Sequence, residues 1–237
     1  MVIRLLIEYD GGDFYGWQVQ PVVRTVQGEL LKALRVLFPE GQFKLVGASR
    51  TDRGVHAEGQ VASLHTDFDV DVESLRQSLN GLTGSDILIK EAIEAEPDFN
   101  ARYRAKGKLY RYRVLLGKSP LKRRFAWECP FEPDFDVLNR LASEVLGEHD
   151  FSLLSTDERG GKCNVRYAAW LDRGEEVHFE IIADRFLHKM VRILAGTMVL
   201  IASGRLEEES LVGFFRGRRS RVLVAPPHGL TLVRVYY

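Results

Sequence analysis

The order of strand-like and helix-like segments constrains this chain more than any other feature of it. Residues 2–9 are rich in β-formers and stop at Asp10-Gly11-Gly12, a turn signal. Thr25 then caps a helix, with Gln27 and Glu29 close behind and Val26, Leu30, Leu31, Leu34 and Leu37 at helical spacing. A short strand over residues 43–47, a longer one over 56–66, a helix over 72–82 carried by Leu75, Leu79 and Leu82, and a strand over 87–95 complete the first half. The theme then recurs. Residues 108–116 read as a strand, and 135–146 as an amphipathic helix on Phe135, Leu138, Leu141 and Val145. A hairpin of 165–172 and 176–183 around Arg173-Gly174-Glu175 follows, then a long helix over 186–203 and a final strand over 230–236. Each half therefore reads β-α-β-β-α-β in outline. The predicted class is α+β: two related units with mainly antiparallel sheets and helices on one face. The boundary falls near Ala105, giving expected domains 1–105 and 106–237.

At 237 residues, 45% of them apolar, the chain can build its cores without disulfides or metals. Its two cysteines, Cys129 and Cys163, lie far apart with no CxxC or His-rich partner, which disfavours a structural zinc. Two reduced thiols are the favoured reading, with a disulfide left open. No apolar stretch near the start suits a signal peptide, and the apolar run over 193–202 is too short to span a bilayer. The expectation is a soluble, cytoplasmic protein.

The formal net charge is zero, so nothing global draws the chain to nucleic acid or to an anionic membrane. The sum hides local asymmetry. Between Arg102 and Arg124 stand ten Arg or Lys and no Asp or Glu, whereas residues 67–98 are strongly acidic. Within the basic run, Tyr110 and Tyr112 should point one way from an extended chain, and Arg111 and Arg113 the other. A second cluster gathers Arg216, Arg218, Arg219 and Arg221. This pattern suits a phosphate-tracking surface with aromatics available to stack on bases. It suits equally a solvated strand face whose aromatics sit in the core.

The most specific chemistry lies in Ser49-Arg50-Thr51-Asp52-Arg53-Gly54-Val55-His56-Ala57. Arg50 and Asp52 stand two residues apart, just before a glycine that permits an unusual turn. A carboxylate beside a guanidinium is expected to stay ionised, which suits a nucleophile or base better than a general acid. The structural alternative is an Arg–Asp pair that merely pins a turn.

With Gly47 and Ala48 in front, that string resembles the signature loop of the tRNA pseudouridine synthase A family. Further blocks carry the resemblance in order along nearly the whole chain. They are Ile7-Glu8-Tyr9-Asp10-Gly11, Gly16-Trp17-Gln18-Val19-Gln20, Thr25-Val26-Gln27, Gln60-Val61 and Phe99-Asn100-Ala101-Arg102 in the first half. Tyr110-Arg111-Tyr112, His149-Asp150-Phe151, residues 186–192 and Ala225-Pro226-Pro227-His228-Gly229-Leu230 follow in the second. The chain departs from the pattern at Arg53, where a small residue is common, and at Lys189, where a second histidine is frequent. It is also unusually rich in arginine over 214–224.

The resemblance implies isomerisation of uridine to pseudouridine at positions 38 to 40, in the anticodon stem-loop of tRNA, with no cofactor and no metal. Asp52 would carry the chemistry as nucleophile or base, in a cleft between the two halves. Tyr110 would stack on the flipped uridine, and Arg192 would serve as the active-site arginine. His188, Arg192 and Gly196 would share one stripe of the long helix, opposite Leu187, Met190, Leu194 and Met198. Arg50, Arg111 and Leu230 complete the substrate-binding set. His56 and His188 are read as structural, hydrogen-bonded histidines. A homodimer is implied by the family alone, and tRNA is the partner. A non-catalytic RNA-binding protein is the competing reading, which the Asp52 loop disfavours. A glycosidase built on paired carboxylates is weaker, since only one carboxylate stands out.

Overall fold

The computed structural model describes residues 1–156, 161–207 and 210–237. Two compact units are present: Met1–Lys106 together with Leu232–Tyr237, and Gly107–Thr231.

The first unit runs β1 (Val2–Tyr9), α1 (Val26–Leu37), β2 (Phe43–Gly47), β3 (His56–Thr66), α2 (Val72–Leu82) and β4 (Ile87–Glu94). This is the predicted β-α-β-β-α-β order. In its sheet β1 pairs antiparallel with both β3 and β4, and β2 pairs antiparallel with β3. Alternation decides which face of β1 is covered: Ile3, Leu5, Ile7 and Tyr9 are buried, while Arg4, Leu6 and Glu8 between them are only partly so. The helices start where side chains can satisfy their first N–H groups. Thr25 Oγ1 accepts from Gly28 N–H at 3.2 Å, and Asp71 Oδ2 from Ser74 N–H at 2.8 Å. Of the stripes expected to be apolar, Val26, Leu30, Leu34, Leu75 and Leu79 are buried, but Leu82, at the end of α2, is exposed.

The second unit holds β5 (Gly107–Leu116), β6 (Trp127–Cys129), α3 (Phe135–Glu144), β7 (Gly147–Asp150), β8 (Lys162–Asp172), β9 (Glu176–Ala183), α4 (Met190–Ala202) and α5 (Ser210–Phe215). The strand β10 (Leu230–Tyr236) then leads back into the first unit, where it adjoins β3. Strands β5, β9, β8 and β7 lie in that order with antiparallel pairing, and the short β6 adds to β5 in parallel. Asp134 caps α3 by accepting from both Asp136 N–H (2.9 Å) and Val137 N–H (3.0 Å). Trp170 stacks on Phe179 across the β8–β9 hairpin with ring centres 5.1 Å apart, and its Nε1–H points at Met198 Sδ of α4, 3.4 Å away. Cys129 and Cys163 are both free and buried, and burial pushes each thiol up to about 11.

One predicted helix begins later than the sequence suggests. Residues 186–189 precede α4, because Lys189 adopts a left-handed conformation (φ 61°) that a right-handed helix cannot contain. His188 therefore stands outside the helix, and the stripe expected of His188, Arg192 and Gly196 reduces to the last two. Every residue of α4 except Arg192 is buried, so the helix is apolar almost all round rather than two-sided.

Candidate active site

Residues 48–55, between β2 and β3, are held by contacts that leave little freedom around Asp52. At the near end the strand pairing continues past Gly47: Ala48 N–H donates to Val61 C=O at 2.8 Å. The fully buried Gln60 side chain then copies a strand's pattern. Its Oε1 accepts from Ser49 N–H (3.2 Å) and its Nε2 donates to Ser49 C=O (2.8 Å). Thr51 is buried, with Oγ1 2.7 Å from the Tyr9 hydroxyl and its C=O accepting from Trp17 N–H at 3.1 Å. That approach is possible because residue 16 is glycine. At φ 92°, a Cβ there would lie 2.6 Å from the Thr51 carbonyl oxygen.

Asp52 is half-buried and opens a tight turn. Its C=O accepts from Val55 N–H (3.1 Å), and Gly54, at φ 77°, supplies the left-handed third position. Gly54 N–H in turn donates to Phe14 C=O at 3.2 Å. Beyond the turn, the buried His56 accepts from Gly11 N–H through Nδ1 at 3.0 Å. The Asp10 carboxylate also lies 3.1 Å from that nitrogen. Because Nδ1 receives the Gly11 proton, we read this second contact as a close approach and not an ion pair. His56 is thus buried and hydrogen-bonded to the backbone through Nδ1. Each buried backbone group so paired would cost about 1–3 kcal/mol if left unmade, so the loop is fixed before any substrate arrives.

Arg50 is not the charge partner that sequence spacing suggests. Thr51 turns inward to Tyr9, its neighbour Arg50 is exposed, and among the described residues Arg50 forms no ion pair. At the surface such a pair is worth only about 0–1 kcal/mol against the freedom it removes.

In the second unit, β5 places Tyr110 and Tyr112 on the buried face and Arg111 and Arg113 on the other, as the alternation requires. Tyr110 is 6% exposed and packs edge-on against Phe186 with ring centres 5.1 Å apart. Tyr112 is fully buried and donates to Pro226 C=O at 2.8 Å. Loss of solvent around its hydroxyl raises its pKa well above the ordinary tyrosine value.

The arginines of this strand do not stand open to solvent. Arg111 Nε pairs with Glu180 at 2.8 Å, and Arg113 grips Glu176 with two bonds of 2.9 and 3.0 Å. Glu176 also accepts from His178 Nε2 at 2.8 Å. Arg113 above all, and His178 with it, hold the Glu176 carboxyl down at about 2 against the opposing effect of burial. Arg104 pairs with Asp98, and Lys122 with Glu175. The basic run is thus neutralised in part by carboxylates from elsewhere in the chain.

Arg192 projects from α4 and donates through Nε to Ala225 C=O at 2.8 Å, while Ala225 N–H returns a bond to Arg192 C=O at 3.1 Å. One turn on, Gly196 lets the same segment touch the helix: a Cβ there would lie 2.2 Å from Leu223 O. Leu230 is buried directly after Pro226-Pro227-His228-Gly229. His188 is exposed, with Nδ1 2.7 Å from Thr156 Oγ1. The expected site residues therefore fall into two groups. Arg50 and Asp52 share one loop of the first unit; Tyr110, Arg111, Arg192 and Leu230 stand on the second. The supports of the Asp52 loop (Tyr9, Gly16, Gln60) were marked in the sequence only by membership of the family-like blocks.

Among the described residues no helix is long and apolar enough to cross a membrane. The family is shown by comparison. A model described as tRNA pseudouridine synthase matches residues 5–104 and 141–237. A tRNA pseudouridine synthase A of Acetivibrio thermocellus is 39% identical, over 99% of each chain. One from Geobacter sp. strain M21 is 37% identical, over 99% of this chain and 98% of its own. Among solved structures, an H/ACA RNP bound to a substrate RNA aligns over 84% of this chain and 43% of its own, at 12% identity and a TM-score of 0.40. That likeness is too loose to carry an argument. The chain belongs to the tRNA pseudouridine synthase family.

Proposed function

We propose that this protein is a tRNA pseudouridine synthase that isomerises uridine at positions 38, 39 and 40, in the anticodon stem-loop. The glycosidic C1′–N1 bond breaks, the uracil turns and C5 bonds to C1′; C5 then gives up its proton and N1 takes one, so the product is an isomer and nothing is oxidised. Asp52 carries the chemistry. The observation that supports this most is how firmly its loop is held: two bonds from one buried glutamine, a buried threonine–tyrosine contact and a close-packed Gly16 fix the backbone on either side of Asp52.

The remaining roles follow the family. Tyr110 receives the flipped base on its ring, which agrees with its inward-facing place on β5. Arg192, the one α4 residue left partly exposed, supplies the active-site guanidinium. Arg50 and Arg111 contact RNA, and Leu230 lines the base pocket. Arg111 would share its guanidinium between Glu180 and the substrate. The protein works in the cytoplasm as a homodimer with tRNA as its partner.

The test is Asp52→Asn. Pseudouridine formation in tRNA should disappear while tRNA binding stays within about twofold, since the amide keeps the size of the carboxylate. A variant that modifies tRNA at the ordinary rate removes Asp52 from the chemistry. A wild-type protein that binds tRNA but forms no pseudouridine favours the alternative, a non-catalytic RNA-binding protein.

A further inference from the structure

Two arginines lie over consecutive aromatic rings beside the Asp52 loop, and their surroundings differ. The Arg24 guanidinium sits 4.2 Å from the centre of the Phe14 ring and is also held by both oxygens of Asp86. Its charge is spent within the fold. Arg53, next in the chain after Asp52, sits 4.1 Å from the centre of the Tyr15 ring. Both Arg53 and Tyr15 are exposed, and among the described residues Arg53 forms no ion pair. This contrasts with Arg104, Arg111 and Arg113, which are all matched to carboxylates.

Both ends of the Arg53–Tyr15 platform are anchored. Tyr15 N–H donates to Arg24 C=O at 2.8 Å, and Tyr15 C=O accepts from Gln20 Nε2 at 3.0 Å. Arg53 occupies the tight turn closed by Val55 N–H on Asp52 C=O. Stacking covers one face of the guanidinium but leaves its N–H donors around the edge, in the plane that suits two oxygens of one anion. It also restricts a long side chain in advance, lowering the entropy lost on binding. One face of the Tyr15 ring is covered by the guanidinium. Consecutive Cα atoms are about 3.8 Å apart, so Arg53 shares one tight turn with the residue assigned the chemistry.

We infer that the Arg53 guanidinium, laid on the Tyr15 ring next to Asp52, binds a backbone phosphate of the RNA substrate close to the uridine being isomerised. The inference rests on the proposed function and adds to it a substrate-positioning contact at a place where this chain departs from its family's usual small residue.

The test combines kinetics with equilibrium binding, using an in vitro transcribed tRNA over a range of salt concentrations. Arg53→Ala should raise KM about 5- to 10-fold and lower kcat less than twofold. It should also flatten the dependence of log(kcat/KM) on log salt by roughly one unit, the loss of about one phosphate contact. Arg53→Lys should restore the salt slope but leave KM raised a few-fold, because an ammonium lacks the planar fork. Tyr15→Leu should reproduce part of the KM effect, and the Arg53→Ala, Tyr15→Leu double variant should be no worse than Arg53→Ala alone. Wild-type KM and wild-type salt slope in Arg53→Ala overturn the inference, as does a fall in kcat with KM unmoved. Binding measured in parallel separates this from the parent reading. An inactive wild type whose tRNA binding still loses about one unit of salt slope on Arg53→Ala sinks the enzyme and keeps the phosphate contact.

Discussion

Replacing Glu176 with glutamine should weaken the second unit in a way that depends on pH. The carboxyl group is held at about 2 instead of its ordinary 4.5, chiefly by the two bonds from Arg113 and then by His178. At about 1.36 kcal/mol per pH unit, the ionised form is favoured over the protonated one by roughly 3 kcal/mol. Glutamine keeps one acceptor of similar shape, so an expected loss of about 2 kcal/mol remains at pH 7. In a chain of this size that is about 4–8 °C in melting temperature. A depressed carboxyl pKa gives stability that is complete above 4.5 and is lost as the pH falls towards 2. The gap between wild type and Glu176→Gln should therefore close over that window, because acid protonates the wild-type group as well. Urea denaturation followed by tryptophan fluorescence reads this directly, since Trp127 and Trp170 belong to the second unit. Equal stability at pH 7 would refute the reasoning, and so would a gap that is the same at pH 3 as at pH 7.

Arg192→Ala should lower kcat by at least about 100-fold, a loss of roughly 2.7 kcal/mol, while tRNA affinity falls only a few-fold; equal losses in single-turnover and binding assays would make Arg192 a packing or backbone-contact residue. Gly196→Ala forces a methyl group onto the Leu223 carbonyl oxygen, and should cost about 2 kcal/mol or more despite alanine's better helix propensity, read as a lowered urea midpoint. Gln60→Leu removes both side-chain bonds to the Ser49 backbone. It should cost about 2–4 kcal/mol and speed amide exchange at Ser49 more than in the centre of β1; unchanged exchange would show that the loop does not depend on this clamp.

Much of the architecture was legible because it rests on periodicity. Strand β1 and helices α1 and α2 could be placed from β-forming residues closed by a turn signal, from leucine spacing and from the capping residue Thr25. Strands β6 and β7 could not, since Trp127–Cys129 and Gly147–Asp150 are too short to display a period. The start of α4 was hidden for another reason: a lysine in the left-handed conformation leaves no mark in the sequence, and the leucines and methionines around it keep the helical rhythm. Charge was the least readable property. A run with no carboxylate of its own looked like an open cationic strip, yet Arg111 and Arg113 meet Glu180 and Glu176, more than sixty residues away along the chain. At the site, Asp52 could be singled out from its neighbours in sequence, whereas the side chains that fix it are ordinary residues whose importance lies only in where they sit.

The place of Leu232–Tyr237 in the first unit has a consequence for how the protein is made. A ribosome delivers residues 1–106 long before the strand that adjoins β3 exists, and the intervening 107–231 emerge first. Until then, the part of β3 near Gly59, where the Val233 carbonyl later packs closely, presents unmatched backbone groups to whatever strand comes by. The unit that carries Asp52 is therefore the first to be synthesised and cannot be the first to be finished.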